Sequence, residues 1–462
     1  MTRTGHEHWG ESEMMTWARG IAAQKGHEAP TGTPRIASGH HPWFSPRAQC
    51  SRRPRLRFAA ARREASRPVW AALSVVAAAC NPSAPPRTDP IPLSATLSMQ
   101  LEPAARTLDS AIAAGAAPGA VLAVSWRGQH FEHAVGQLAV DDPRPPDGRT
   151  LYDVASLTKV VALTTVAMFA VEEHKLDLDT PVVHYLPLFA RGRGDKSHIT
   201  VRDLLLHDSG LPPDPVPPLW KGSHRRRTAI KTALAANLDT VPGARFVYSD
   251  LSAITLAAIV EKLYHKRLDR LFAERVTRPL GLTRTRFLPP RSWRDEIAPT
   301  EIEAMPFRGA AALRGEVHDE NAWWLGGVSG HAGLFGDADD LLRFGEWALA
   351  GSLRRRFDGP LQPPAEFATW TIRQDHPEGS SRAIGWDTPS VVSSAGNYMS
   401  ARSFGHTGFT GTSIWIDPER DIVIVLLTNR VNPTRNTPKF GLIRAAVADA
   451  VMQSLFPDAQ PR

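Results

Sequence analysis

Apolar residues alternate or run together at both ends of this chain's body and repeat with a helical period between them. Residues 119–126 and 130–136 are strand-like runs on either side of Arg127-Gly128-Gln129, which predicts a hairpin with a glycine turn. Residues 413–417 and 421–428 flank Pro418-Glu419-Arg420 and predict a second hairpin. Residues 101–114 form an amphipathic helix pattern, with Pro103 tolerated in its first turn, and 440–456 form a final apolar-faced helix. Val201-Arg202-Asp203-Leu204-Leu205-Leu206 predicts a helix with Thr200 as N-cap. From about 190 to 390 the pattern is mostly helical, broken by long Pro- and Gly-rich connections such as 211–220, which holds five prolines. Strands at both ends and helices between predict an α+β fold. One antiparallel sheet of about five strands is built from both chain ends and flanked by the terminal helices. An α/β part takes in 95–190 and 390–460, with a mostly helical part, 190–390, inserted. There is no internal repeat.

Charge and composition separate a leader from this body. The formal net charge is +7, but residues 1–79 hold twelve Lys or Arg and five Asp or Glu, while 80–462 hold 42 of each. A neutral body has no electrostatic footprint for nucleic acid. Cys50 and Cys80, the two cysteines, precede the body, so the fold needs no disulfide. Residues 1–61 are rich in Arg, Gly, His and Pro without periodicity and read as a disordered leader. Its His6, His8, His40 and His41 lack further ligands at a useful spacing, so no metal is expected.

Residues 62–80 read as an export signal. Arg62, Arg63 and Arg67 precede an apolar core and small residues, and the core is shorter than the roughly 20 residues of a membrane span. The residues before Cys80 resemble a bacterial lipobox, with Ala77 where a larger aliphatic residue is usual, so Cys80 is the residue that would carry a lipid. The Pro-rich stretch 81–94 would then be a tether. A signal belongs near a true N-terminus, so the expected start lies downstream of Met1. The alternative reading is a disordered arm followed by a short buried helix. The expected location is exported, either periplasmic or anchored as a lipoprotein in a bacterial envelope.

One short stretch carries the first chemistry. Asp153-Val154-Ala155-Ser156-Leu157-Thr158-Lys159-Val160 leads into an apolar, helix-like segment over 161–171. Residues three apart share a helix face, so Ser156 and Lys159 lie side by side, with the serine near the positive end of the helix dipole. A desolvated lysine can take the proton that makes serine a nucleophile. No other lysine in the chain has a serine three residues before it. Alone, the pattern is equally well explained by a solvated helix. Two further motifs follow. Tyr248-Ser249-Asp250 holds the one tyrosine with Asp or Asn two residues later, and His406-Thr407-Gly408 precedes Phe409-Thr410-Gly411-Thr412 and the last hairpin.

In this order and at these separations, the three motifs resemble the serine β-lactamase and penicillin-binding superfamily, specifically its class C β-lactamase, D-alanyl-D-alanine carboxypeptidase and esterase branch. That branch carries Ser-x-x-Lys, then Tyr-x-Asn, then Lys- or His-Thr-Gly. Pro118-Gly119-Ala120-Val121, Leu204 to Leu211, Leu427-Thr428-Asn429-Arg430, Gly315 to Asp319 and Gly327 to Phe335 are also similar to it. The resemblance spans about residues 101–456 and implies a β-lactamase/transpeptidase-like fold.

It also implies roles. Ser156 is the nucleophile, Lys159 and Tyr248 share the proton work, and the backbone N–H groups of Ser156 and Phe409 hold the oxyanion. Asp250, His406, Thr407 and Gly408 border the substrate. Two departures matter. Asp250 stands where Asn is usual; a carboxylate only accepts hydrogen bonds and, near Lys159, favours the ammonium. Tyr248 is therefore expected to carry more of the base role, unless Asp250 simply caps the helix that follows. His406 replaces Lys and, with an ordinary pKa of about 6.5, is mostly neutral at pH 7. A weaker grip on a β-lactam carboxylate favours peptidase or esterase activity. No Glu-containing loop of the class A type is evident, so deacylation also falls to Tyr248.

His207 is expected to cap a helix end. His331, in a Gly-rich loop, has structural and functional readings open. Trp323 and Trp324 are expected to pack in the core rather than wall the pocket. The expected protein is an exported serine hydrolase that acts through an acyl-enzyme on an ester, amide or D-amino-acid peptide. It needs no cofactor and has a small-molecule or peptide partner. Its alternatives are a penicillin-binding sensor acylated with little turnover, a class C-like β-lactamase, and a non-enzymatic envelope lipoprotein.

Overall fold

The computed structural model describes residues 93–302, 308 and 311–462. The leader, the signal-like segment, Cys80 and all but the end of the tether lie outside the described residues. The main sheet has five antiparallel strands, β1 (Gly119–Trp126), β2 (Gln129–Gly136), β6 (Phe404–Thr407), β7 (Ser413–Asp417) and β8 (Ile422–Thr428), in the order β2-β1-β8-β7-β6. The pairing of β1 with β8, Val121 opposite Leu427 and Ala123 opposite Val425, joins the two ends of the chain.

Successive side chains of a strand face opposite sides of a sheet. Ala120, Leu122 and Val124 of β1 and Ile422, Ile424 and Leu426 of β8 meet one core, with the terminal helices α1 (Glu102–Ala113) and α6 (Ile443–Leu455). Val121, Ala123, Val423, Val425 and Leu427 meet the other core, which extends into the helical part. Burial on both faces explains why β8 reads as an unbroken apolar run rather than an alternating one.

Helix α5 (Ala338–Ser352) lies against this second face, although it falls within the stretch assigned to the helical part. Its stripe Leu341, Leu342, Phe344 and Trp347 is buried, and a Cβ at Gly345 would collide with Val423. A three-stranded sheet also escapes the sequence pattern. In it β5 (Leu334–Gly336) pairs with β3 (Tyr152–Asp153) on one side and β4 (Arg286–Phe287) on the other. Strands of two or three residues are too short to show an alternation.

Helix α3 (Val201–Leu206) begins with the predicted Thr200 cap, closed into a capping box by Asp203, and ends on His207 with a left-handed φ of 60°. Asp208 follows with no exposed surface and with neither carboxylate oxygen hydrogen-bonded among the described residues. Burial, reinforced by nearby Asp203, pushes its carboxyl up to about 7. His376 comes within 3.3 Å of it but stands mostly in solvent and offsets little. Below an unfolded pKa of about 3.9 the group is protonated in both states and imposes no penalty. As pH rises toward 7 the unfolded chain ionises while the folded one resists, a cost reaching at most about 4 kcal/mol. Asp208→Asn is therefore expected to melt above the parent by a margin that grows from about pH 4 to about pH 7 and is level above that. A margin that ignores pH would contradict this account.

Candidate active site

Ser156 sits just after β3, where the chain turns sharply into a helix. Ala155 has a φ of 48°, a left-handed conformation that costs a non-glycine residue of order 1–3 kcal/mol. Buried Asp153 holds the turn: one carboxylate oxygen accepts from the Ala155 N–H at 2.9 Å and the other from the His318 N–H at 2.6 Å. The Thr158 hydroxyl donates to the Ala155 carbonyl at 2.6 Å and accepts from the Leu334 N–H at 3.1 Å. The first turns after Ser156 are widened into a π-helix, Lys159–Thr164, before regular helix α2 (Thr165–Glu172). Such widening is rare and frequently found at functional sites.

The buried Lys159 ammonium lies 3.0 Å from Ser156 Oγ and donates to the His331 carbonyl at 3.1 Å. Asp250 Oδ1 is 2.7 Å away, a charge contact without the alignment of a hydrogen bond. Burial alone would favour the neutral amine, but Asp250 and then Tyr248 outweigh it, and the Lys159 pKa ends above its ordinary value. That direction favours the ammonium, whose Nζ donates to Ser156 Oγ.

Asp250 does not cap the helix that follows. The cap is Ser249, whose hydroxyl accepts from the Ser252 N–H at 3.2 Å, and Asp250 is the first residue of α4 (Asp250–Tyr264). Both residue types cap well, so the sequence alone leaves the choice open. The Tyr248 ring lies 4.8 Å from the Lys159 ammonium and 4.7 Å from the His207 ring. His207 Nδ1 accepts from the Ser249 N–H at 3.1 Å, so this histidine both ends α3 and holds the tyrosine loop.

His331 takes part through both side chain and backbone. Its carbonyl receives Lys159, and its ring bonds Ser329 Oγ at 2.7 Å and Asp319 Oδ1 at 2.8 Å. Burial would keep this imidazole neutral, but Asp319 and then Asp250 raise its pKa. Donor atoms of Asp250, Asp319 and His331 lie within 4.8 Å of one another. That cluster could hold a cation, and the Lys159 ammonium is one. Trp323 and Trp324 are partly buried: Trp324 packs against the main core and Trp323 against a small cluster of Val317, Ala322 and Ala332, and both rings gather around His224, with centroids 5.4 and 4.2 Å from it.

The third motif enters on β6. The buried His406 donates from Nδ1 to the Thr407 carbonyl at 2.8 Å, and its ring lies 5.9 Å from that of Tyr248. Burial, Arg382 and Lys159 push its pKa well down, so it is neutral. A Cβ at Gly408 would collide with the Val154 carbonyl and the Thr412 hydroxyl. The turn after it is clipped to the segment just before Ser156: Thr410 Oγ1 donates to the Asp153 carbonyl at 2.6 Å and Thr412 Oγ1 to the Val154 carbonyl at 3.1 Å. Two arginines hold the same turn, Arg444 on the Gly408 carbonyl at 2.5 Å and Arg430 on the Phe409 carbonyl at 2.8 Å.

Ser156, Lys159, Tyr248, Asp250 and His406 thus form one cluster, with Thr407, Gly408 and Phe409 at its border. Asp153, Asp319, Arg382, Arg430 and Arg444 were not singled out from the sequence. Only Thr410 and Thr412 left a signal, the small and hydroxylated run after the glycine. Among the described residues, no helix is long and apolar enough to cross a membrane.

Comparison with known proteins agrees with this geometry. Residues 104–448 match the family model described as Beta-lactamase. The chain is 32% identical over 351 residues to a protein of Salmonella typhimurium named "Putative D-alanyl-D-alanine carboxypeptidase", an alignment covering 70% of this chain and 80% of the relative. Among solved structures, EstCE1, a hydrolase with promiscuous acyltransferase activity, aligns with a TM-score of 0.63 at 24% identity, over 78% of this chain and all of that one. A penicillin-binding protein homologue from Caulobacter crescentus aligns with a TM-score of 0.59 at 21% identity, over 79% of this chain and 100% of that one. With its five-stranded antiparallel sheet, its helices and the match over most of its body, this chain belongs to the β-lactamase family.

Proposed function

We propose that this protein is an exported serine hydrolase that forms an acyl-enzyme on Ser156 and removes the last residue of a D-amino-acid peptide. The observation that carries the serine mechanism is the buried ammonium 3.0 Å from Ser156 Oγ. An ammonium at that distance stabilises negative charge on the oxygen in a low-dielectric site. Because Lys159 keeps its proton, Tyr248 is the group left to accept one. In the proposed first step, which Tyr248 enters as its phenolate, Ser156 Oγ bonds to the carbonyl carbon while its proton passes to that phenolate oxygen. Tyr248 returns that proton to the leaving amine nitrogen as the C–N bond breaks. Water then attacks the ester carbon, giving its proton to Tyr248, and Ser156 recovers a proton as the acid leaves.

The surrounding charge favours a substrate that ends in a carboxylate. His406 is neutral, but Arg382 and Arg444 are close enough to help depress it. The Arg382 guanidinium lies 5.3 Å from the Tyr248 ring, and its one ion pair among the described residues, with Asp387, is loose at 3.7 Å. These arginines supply positive potential that the missing lysine of the motif does not. The name of the Salmonella typhimurium relative supports the same reading.

A substrate panel tests it. A D-Ala-D-Ala-terminated peptide, p-nitrophenyl acetate and a fluorescent penicillin are each incubated with the protein, and the Ser156 adduct is read by mass spectrometry. Release of D-alanine is expected. Ester turnover without D-alanine release would move the assignment to an esterase, and a lasting penicillin adduct without turnover would move it to a sensor. Folded protein with no adduct from any of the three would sink the serine mechanism.

A further inference from the structure

Arg444 is a half-buried arginine whose inner guanidinium nitrogen is shut off from solvent, an arrangement that stability alone does not explain. It lies in the first turn of α6, stacked 5.0 Å over the Phe440 ring, and forms no ion pair among the described residues. Its Nε is buried and has no hydrogen-bond partner there. The nearest charge on the same ring is another cation, Arg430, 5.5 Å from the Phe440 centroid. Burial, and then Arg430, push the Arg444 guanidinium down to about 9, so it remains charged at neutral pH. A partly desolvated charge without an opposite partner is a cost to the fold rather than a gain, and an apolar residue is often as stable in its place.

What Arg444 does hold is one backbone oxygen, the Gly408 carbonyl at 2.5 Å. That carbonyl and the Phe409 N–H belong to the same peptide group. In a trans peptide the two point in opposite directions. Anchoring the oxygen on the terminal helix therefore sends the Phe409 N–H to the far side of the turn. The Cα of Gly408 packs closely against the Val154 carbonyl, two residues before Ser156, which keeps this peptide group beside the serine. A guanidinium on the carbonyl also polarises the amide, and hydrogen bonds in such a chain strengthen one another.

We propose that Arg444 is a positioning residue for the oxyanion site, fixing and polarising the Gly408–Phe409 peptide so that its N–H stabilises the tetrahedral intermediate formed on Ser156. This rests on the acyl-enzyme reading above. Arg444 touches neither substrate nor the reacting atoms; it acts through one peptide group. The competing explanation is that it merely fastens α6 to the β6–β7 turn.

The two are separated by a comparison between ground state and intermediate. Arg444→Met, Arg444→Gln and Arg444→Lys are assayed on p-nitrophenyl acetate and on a boronic acid, which places a tetrahedral oxygen at Ser156. Removing one oxyanion donor outright costs about 10²–10³ in kcat, so loss of its orientation is expected to cost about 30-fold or more in the Met and Gln variants. KM is expected to stay within about threefold, and boronate affinity to fall in step with kcat. Arg444→Lys, which keeps the charge and one donor, is expected to recover most of the loss. Melting temperature checks folding, and the Gln and Lys variants carry the comparison if Met does not fold. The proposal is overturned if a folded Met or Gln variant keeps kcat within threefold, loses only KM, or loses kcat while binding boronate normally. A parent protein with neither ester turnover nor boronate binding would overturn the acyl-enzyme reading itself, and this role with it. Ester turnover that survives Ser156→Ala would do the same.

Discussion

Ser156→Ala is expected to abolish every covalent adduct and to lower turnover by about 10⁴-fold or more. The size follows from the site's construction. In the proposed mechanism Lys159, Tyr248 and the oxyanion donors all act on one oxygen, and removing that oxygen leaves them nothing to act on. The rest of the structure should tolerate the change, since the Ser156 hydroxyl takes part in one hydrogen bond among the described residues, that from Lys159 at 3.0 Å. The measurement is twofold. Mass spectrometry should find no acyl group on the alanine variant, and its melting temperature should stay near the parent's. An adduct that persists in a folded Ser156→Ala protein would move the nucleophile elsewhere.

Tyr248→Phe is the second large effect, expected at about 10³-fold on acylation, within the usual range for a general base. The competing assignment makes Lys159 the base. The two disagree on how rate follows pH, and Asp250→Asn exposes the disagreement. In the parent, the Asp250 carboxylate 2.7 Å from Lys159 Nζ holds the ammonium above its ordinary pKa, against the effect of burial. Without that carboxylate burial prevails and the Lys159 pKa falls. If lysine works as an ammonium, the variant's kcat/KM should drop as pH rises through this lowered pKa, where the parent shows no such limb. If lysine is the base, the rate should instead climb through the same interval. A climbing limb, together with a Tyr248→Phe protein that keeps most of its acylation rate, would reverse the assignment.

Much of the frame was readable because its cause is periodic. Strands β1, β7 and β8 are buried almost throughout, and the helices at 101–114 and 440–456 repeat an apolar stripe. What escaped reading is what has no period. The strands Tyr152–Asp153 and Arg286–Phe287 are two residues each. The strained φ of Ala155 is imposed by Asp153 and by neighbours far along the chain, and alanine gives no hint of it. In the site, Ser156, Lys159, Tyr248 and His406 stood out because their residue types have known chemistry at fixed spacing. Arg382, Arg430 and Arg444 did not. An isolated arginine in a helix or loop looks like a solvated surface charge until folding puts it beside a backbone carbonyl or an aromatic ring. The choice between Ser249 and Asp250 as helix cap was equally invisible, since adjacent good caps differ only in which one turns away.

The threonine clips between the β6–β7 turn and the strand before Ser156 divide the site into two separately fastened pieces. Thr410 and Thr412 fasten the turn proposed to hold the oxyanion directly to Asp153 and Val154, tying it to the segment that carries Ser156. Tyr248 is held separately, through the Ser249 bonds to His207 and to the Pro212 carbonyl at 2.6 Å. A brief opening of the tyrosine loop would leave an ester on Ser156 still cradled but without the group that activates water. The time a substrate or drug stays attached would then be set by how often that loop reseats, more than by the chemistry that attached it.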